Sequence, residues 1–279
     1  MGKRLGIQIL VLTAMVCFVV NFTAYLRHVA KVTHLLEGED TLGLLRQQEV
    51  PKESYEAFCK YEEESEYSRY SYLLASLTAG QKGKEELEDY LELLYQYQPK
   101  AAHQFERQER AVWGDLEYFP IPLPQAGSSL STSFDNSWMF DRAYGGNRGH
   151  EGTDIMASLN ERGRYPVVSM TDGVVEKVGW LKLGGYRIGV RSPGGGYFYY
   201  AHLYDYAREF EVGDEVKAGE LLGFMGDSGY GEEEGTVGKF AVHLHIGIYV
   251  NDEAGQEVSV NPYWVLIWLE EKRLRYAYG

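Results

Sequence analysis

The chain has 279 residues, more than one typical domain needs and fewer than three, so one full globular core with smaller appendages is expected. A formal net charge of −14 excludes nucleic acid as a partner, because phosphate binding needs a basic stripe that releases counterions. Cys17 lies in an apolar run and Cys59 in a charged, tyrosine-rich stretch, neither with a Cys or His at ligand spacing, which excludes a disulfide, a thiolate metal site and a catalytic thiol. Any metal must rest on histidine and carboxylate.

The first element is apolar. From Leu5 to Leu26 there are 22 residues without a charge, and at ~1.5 Å per residue such a helix crosses the ~30 Å hydrocarbon layer of a membrane. The run is longer than the hydrophobic stretch of a signal peptide, and no Ala-x-Ala site closes it, so an uncleaved transmembrane anchor over residues 1–30 is expected. Lys3, Arg4 and the amino terminus precede it, against Arg27 and Lys31 behind it. That bias keeps the N-terminus in the cytoplasm and places the rest of the chain outside.

Residues 31–119 read as a helical juxtamembrane segment, poor in glycine and rich in Glu, Lys, Gln and Leu. Leu87, Tyr90, Leu91 and Leu94 recur at helical spacing, so they share one face. That face is expected to pack on its own neighbours, and the segment is the candidate place for a protein partner. Pro120, Pro122 and Pro124 each lack an amide donor and bias the preceding residue toward extended backbone, which sets a linker at 120–129.

Beyond the prolines the texture changes. Of 32 glycines, 25 lie from Gly127 onward, separating short runs rich in Val, Ile, Tyr and Phe. Strands are expected over 173–180, 186–191, 197–202, 221–225 and 242–250, with turns at Gly184-Gly185, Gly194-Gly195-Gly196 and Gly213-Asp214. Residues 130–279 should therefore form a mainly antiparallel β domain.

Four of the seven histidines fall in this domain: His150, His202, His243 and His245. Side chains alternate along a strand, so His243 and His245 point to one face while Val242, Leu244 and Ile246 point to the other. Two adjacent imidazoles serve no packing purpose that apolar residues would not serve better. His150 and Asp154 stand four apart, with Gly149 and Gly152 flanking the histidine, which implies a loop entering a strand rather than a helix. A catalytic zinc site takes three protein ligands and leaves a fourth position open, a count that two histidines and one aspartate meet.

The blocks Gly149-His150-Glu151-Gly152-Thr153-Asp154-Ile155, Thr171-Asp172-Gly173-Val174-Val175, Tyr200-Ala201-His202-Leu203, Gly213-Asp214-Glu215-Val216 and His243-Leu244-His245-Ile246 stand in an order that resembles the M23 family of zinc metallopeptidases, which includes lysostaphin. The resemblance covers roughly residues 130–262. It implies an antiparallel β core, zinc held by His150, Asp154 and His245, and His202 and His243 as the catalytic pair. Tyr144, six residues before His150, is the candidate transition-state helper. The implied substrate is the peptide part of peptidoglycan, met at the outer face of a bacterial membrane by a single-pass protein. The alternative is a membrane-anchored scaffold of the sporulation-complex type with little turnover, which a lost ligand would favour. The sequence departs from the family between Gly229 and His243, where an acidic stretch longer than usual leads into the paired histidines and is expected to wall the groove. Cleavage of glycine bridges is therefore not implied.

Overall fold

A computed structural model of the protein describes residues 2–35, 39–50, 52–60, 67–80, 82–142, 148–252 and 254–279. Six helices come first: α1 Gly2–Leu35, α2 Glu39–Gln47, α3 Lys52–Lys60, α4 Arg69–Ala79, α5 Lys84–Tyr97 and α6 Pro99–Trp113. Within α1, Arg4–Ala30 is apolar and long enough to cross a membrane, and none of its most apolar window is buried by the rest of the protein. The following helices behave as a packed bundle. Ser68 caps α4 by accepting from the Ser71 amide at 3.2 Å. The α5 stripe is buried as a set, Leu87, Tyr90, Leu91 and Leu94, so this face is used internally.

The strands are β1 Thr132–Phe134, β2 Asp141–Arg142, β3 Arg148–Gly149, β4 Thr153–Ala157, β5 Pro166–Val168, β6 Gly173–Leu181, β7 Gly185–Arg191, β8 Tyr197–Tyr206, β9 Glu215–Val216, β10 Leu221–Met225, β11 His243–Asn251 and β12 Glu257–Val260. A last helix, α7 Pro262–Leu269, is capped by Asn261, whose side chain accepts from the Tyr263 amide at 3.0 Å. The main sheet is ordered β1-β4-β11-β8-β7-β6-β9 and its pairings are antiparallel. Hairpin spacing foretells the neighbours β6, β7 and β8. The insertion of β11 between β4 and β8 is a long-range pairing that no local signal encodes, and it assembles the site.

Register gives the sheet two unlike faces. His245 stands opposite Asp154 on β4 and Ala201 on β8, while Gly247 and Tyr249 stand opposite Tyr199 and Tyr197. The alternate residues Ile155, Ile188, Val190, Phe198, Tyr200, Leu244, Ile246 and Ile248 are fully buried in the core beneath. At roughly 1.5–3 kcal/mol for each large apolar side chain removed from water, this face fixes the register, since a slip by one residue would turn every one of them to solvent.

Helices and sheet share that core. Arg46 at the end of α2 donates to the Ser259 carbonyl and hydroxyl at 2.9 and 2.8 Å, Tyr55 of α3 stacks on Trp268 of α7 at 4.3 Å, and Asp115 accepts from the Gly194 amide at 2.6 Å. Residues 119–125 lie along the C-terminal stretch, with the Phe119 and Leu123 amides donating to Lys272 and Leu274, and Ile121 fully buried. Prolines that cannot donate to a sheet ladder thus still serve as an extended edge, supplying carbonyls: Pro122 accepts from the Tyr278 hydroxyl at 2.6 Å.

Candidate metal centre

The polar face of the sheet carries the cluster. His245 projects from β11, Asp154 from β4 beside it, and His150 from the turn between β3 and β4. Among the described residues, these three form the group of ligand-type side chains able to hold one ion. His150 Nε2 lies 3.1 Å from Asp154 Oδ1 and 3.0 Å from His245 Nδ1, and His245 Nδ1 lies 3.0 Å from the same carboxylate oxygen. Gly152 is required here, because a Cβ at that position would come within 2.3 Å of the His245 ring.

Backbone carbonyls set the tautomers. His150 Nδ1 faces the Ser137 carbonyl at 3.1 Å, His202 Nδ1 faces that of Ser228 at 2.7 Å, and His243 Nδ1 faces that of Ala241 at 2.8 Å. A carbonyl only accepts, so each Nδ1 carries the proton and each Nε2 a lone pair. The His150 lone pair then points at a carboxylate oxygen, two electron-rich atoms at 3.1 Å with no proton between them. A cation relieves that opposition, and the nitrogen and oxygen donors suit zinc, so the residues fit the metal.

Electrostatics agree. Burial works against ionisation of Asp154, yet the imidazoles of His150, His245 and His243, when protonated, outweigh it and hold the carboxyl far below its ordinary range. Burial first, then the charges of His243 and His245, pushes His202 well below the usual imidazole value, and burial lowers His245 against the pull of Asp154. Both rings are thus neutral near pH 7, as metal ligation or proton acceptance requires.

His202 sits where β8 breaks register. Tyr186 pairs with Leu203 and Ile188 with Tyr200, so β8 carries one extra residue there, and His202 takes φ of 63°. That bulge, in a conformation side chains rarely adopt, turns the imidazole across the groove toward His243, with ring centroids 4.8 Å apart. Phe240 and Tyr230, from the acidic stretch before β11, pack on it at 4.6 and 5.9 Å, so that stretch does wall the groove. Gly185, with φ of 64°, lets the Ser228 carbonyl approach, since a Cβ there would fall 2.3 Å from it. Gly185→Ala is therefore expected to cost about 1–2 kcal/mol in backbone strain plus ~1–3 in overpacking. It should also loosen His202. Urea melts and the His202 ring resonances would check this, and an unmoved ring in a stable variant would refute it.

The structure thus brings together His150, Asp154, His202, His243 and His245, while Tyr144 lies outside the described residues. Sequence reasoning missed Arg142, whose guanidinium donates to Asp154 Oδ2 at 2.6 Å and fixes the carboxylate's second oxygen. Only the pairing of β2 with β3 carries it there. It also missed the tyrosine floor of the groove, Tyr197, Tyr199 and Tyr249. Their alternation with the core residues Phe198, Tyr200 and Ile248 was the available signal.

Comparison with known proteins adds the family. The model of peptidase family M23 matches residues 148–262. A solved lytM structure from Ruminococcus gnavus is 44% identical, superposes with a TM-score of 0.73, and the match covers 89% of this chain and 99% of that one. The L-Ala–D-Glu endopeptidase of Bacillus subtilis is 42% identical over 145 residues, covering 52% of this chain and 41% of its own length. The glycyl-glycine endopeptidase ALE-1 of Staphylococcus capitis is 35% identical over 130 residues, covering 43% of this chain and 32% of its own. The match therefore spans less than half the length of these curated relatives. With the metal cluster inside the matched residues and a 44% identical structure aligned over nearly all of its length, the chain belongs to peptidase family M23.

Proposed function

We propose that this chain is a zinc endopeptidase that hydrolyses peptide bonds in the stem or cross-bridge peptides of peptidoglycan, anchored by α1 and working at the outer face of the bacterial membrane. The observation that carries the reading is the His150–Asp154–His245 cluster with the rings of His202 and His243 facing each other beside it. On this reading 1–30 is the anchor, 31–119 a helical spacer joined by 120–129, and 130–279 the peptidase domain.

His150 Nε2, Asp154 Oδ1 and His245 Nδ1 would hold the ion. When bound, zinc supplies Lewis acidity that lowers the pKa of a water from 15.7 toward about 7 and polarises the peptide carbonyl. The lone pair of one of His202 and His243 accepts the proton of the attacking water and passes it to the leaving amine nitrogen as the C–N bond breaks, while the other ring, having taken a proton from solvent at Nε2, donates toward the oxygen that gains charge in the tetrahedral intermediate. Phe240 and Tyr230 pack on the His202 ring and hold its orientation. The L-Ala–D-Glu endopeptidase relative supports a stem-peptide substrate.

The test is to incubate the purified full-length chain, in detergent, with peptidoglycan. New amino termini are expected, abolished by a chelator and restored by zinc. Zinc bound without new termini would overturn this reading in favour of a non-hydrolytic scaffold.

A further inference from the structure

The cluster lines a cleft of about 410 Å³, and the charges around that cleft are nearly all matched. Arg142 is paired with Asp154 at 2.6 Å, Glu151 with Arg46 at 3.6 Å, and Lys177 with Glu257 at 3.4 Å. Among the described residues two cations are left. Arg187 Nε and Nη1 and Arg148 Nε are buried and have no hydrogen-bond partner among the described residues, and the same holds for the Tyr197 hydroxyl. Arg187 lies on the groove face of the sheet, two residues along β7 from Gly189, which pairs with Tyr199. Arg148 reaches the cleft from the two-stranded β2-β3 ribbon.

Both arginine side chains line the same cleft as Tyr199 and His245. The Tyr199 ring stands 6.1 Å from that of His245, so the pair of arginines borders the metal cluster. Leaving guanidinium donors buried and unpaired is costly, and a carboxylate, which Arg grips through two parallel hydrogen bonds, satisfies donors of this kind better than any neutral group.

We propose that Arg148 and Arg187, with the Tyr197 hydroxyl as a neutral donor in the same cleft, form a carboxylate subsite in the groove, so that the chain takes acidic peptides rather than uncharged ones such as polyglycine. The proposal deepens the endopeptidase reading, but binding tests it separately from turnover. The overall charge of −14 opposes an acidic peptide in bulk, so an advantage of Glu over Gln has to come from these local cations.

The probes are blocked tetrapeptides of Ala and Gly in which one Glu is moved through the four positions, each with its Gln counterpart. Their binding to the zinc-loaded full-length chain in detergent is measured by calorimetry, and their cleavage by mass spectrometry. At one position the Glu peptide should bind at least about 10-fold tighter than its Gln twin, and the advantage should shrink with salt. R187Q and R148Q should each reduce that advantage to less than 3-fold, whereas R187K keeps part of it. Equal binding of Glu and Gln peptides at every position, or an advantage untouched in both variants, overturns the subsite. Preferential binding without cleavage leaves the subsite standing and counts against the endopeptidase reading alone.

Discussion

His245→Ala and His202→Ala are expected to separate the metal from the chemistry. His245 gives one of three ligand atoms lying 3.0–3.1 Å apart, so its loss leaves a two-point site. Disturbing only the groups that orient a ligand typically weakens metal binding by about 10–100-fold, and deleting the ligand itself should exceed that. The purified variant should hold no stoichiometric zinc and release no peptide. His202 is different. Its Nδ1 is tied to the Ser228 carbonyl at 2.7 Å, and its ring faces His243 rather than joining the ligand triangle. His202→Ala should keep zinc at wild-type occupancy while turnover falls by roughly 10²–10⁴-fold, the range for a lost general acid or base. Zinc content by mass spectrometry alongside single-turnover cleavage decides the matter. Loss of zinc in His202→Ala would make that residue a ligand, and near-wild-type turnover with zinc retained would remove it from the mechanism.

How much of this could be read from the residues differs from element to element. The strand carrying His243 and His245 was legible because alternation along a strand is local: Leu244 and Ile246 are fully buried while the histidines face the groove. The α5 stripe was legible for the same reason at the helical period. His202 as a site residue could be noticed, but its geometry could not. The expected strand ended at 202, whereas β8 runs on to Tyr206 through a bulge whose position depends on pairing with β7 and β10. Arg142 and Arg187 were invisible, because their value lies in what stands opposite them after long-range pairing. The proline stretch shows the same limit: loss of amide donors foretells the end of a helix, and says nothing of an extended run clasped to residues 272–278.

The second large effect concerns stability and lies between helix and sheet. Glu109 of α6 is fully buried, with Oε1 accepting from Gln48 Nε2 at 2.8 Å and Oε2 without a partner among the described residues. Burial pushes its carboxyl up to about 8, opposed in part by the Gln48 and Trp113 donors. In the unfolded chain the same group titrates near 4.5. Between these values the folded protein holds a proton that the unfolded chain has already released, so folding stability falls as pH rises, by up to ~1.4 kcal/mol per pH unit. Below about pH 4.5 both states are protonated and the penalty vanishes; above about 8 both are ionised and it is complete. Glu109→Gln keeps an oxygen for Gln48 and cannot ionise. At pH 8 the variant should therefore be more stable than wild type by about 2–4 kcal/mol. The two should converge toward pH 5. Urea titrations of the full-length protein in detergent across pH 5–9 measure this directly. Curves that stay parallel throughout would mean that Glu109 titrates alike in both states, and that the contact among α2, α6 and the sheet carries no buried charge.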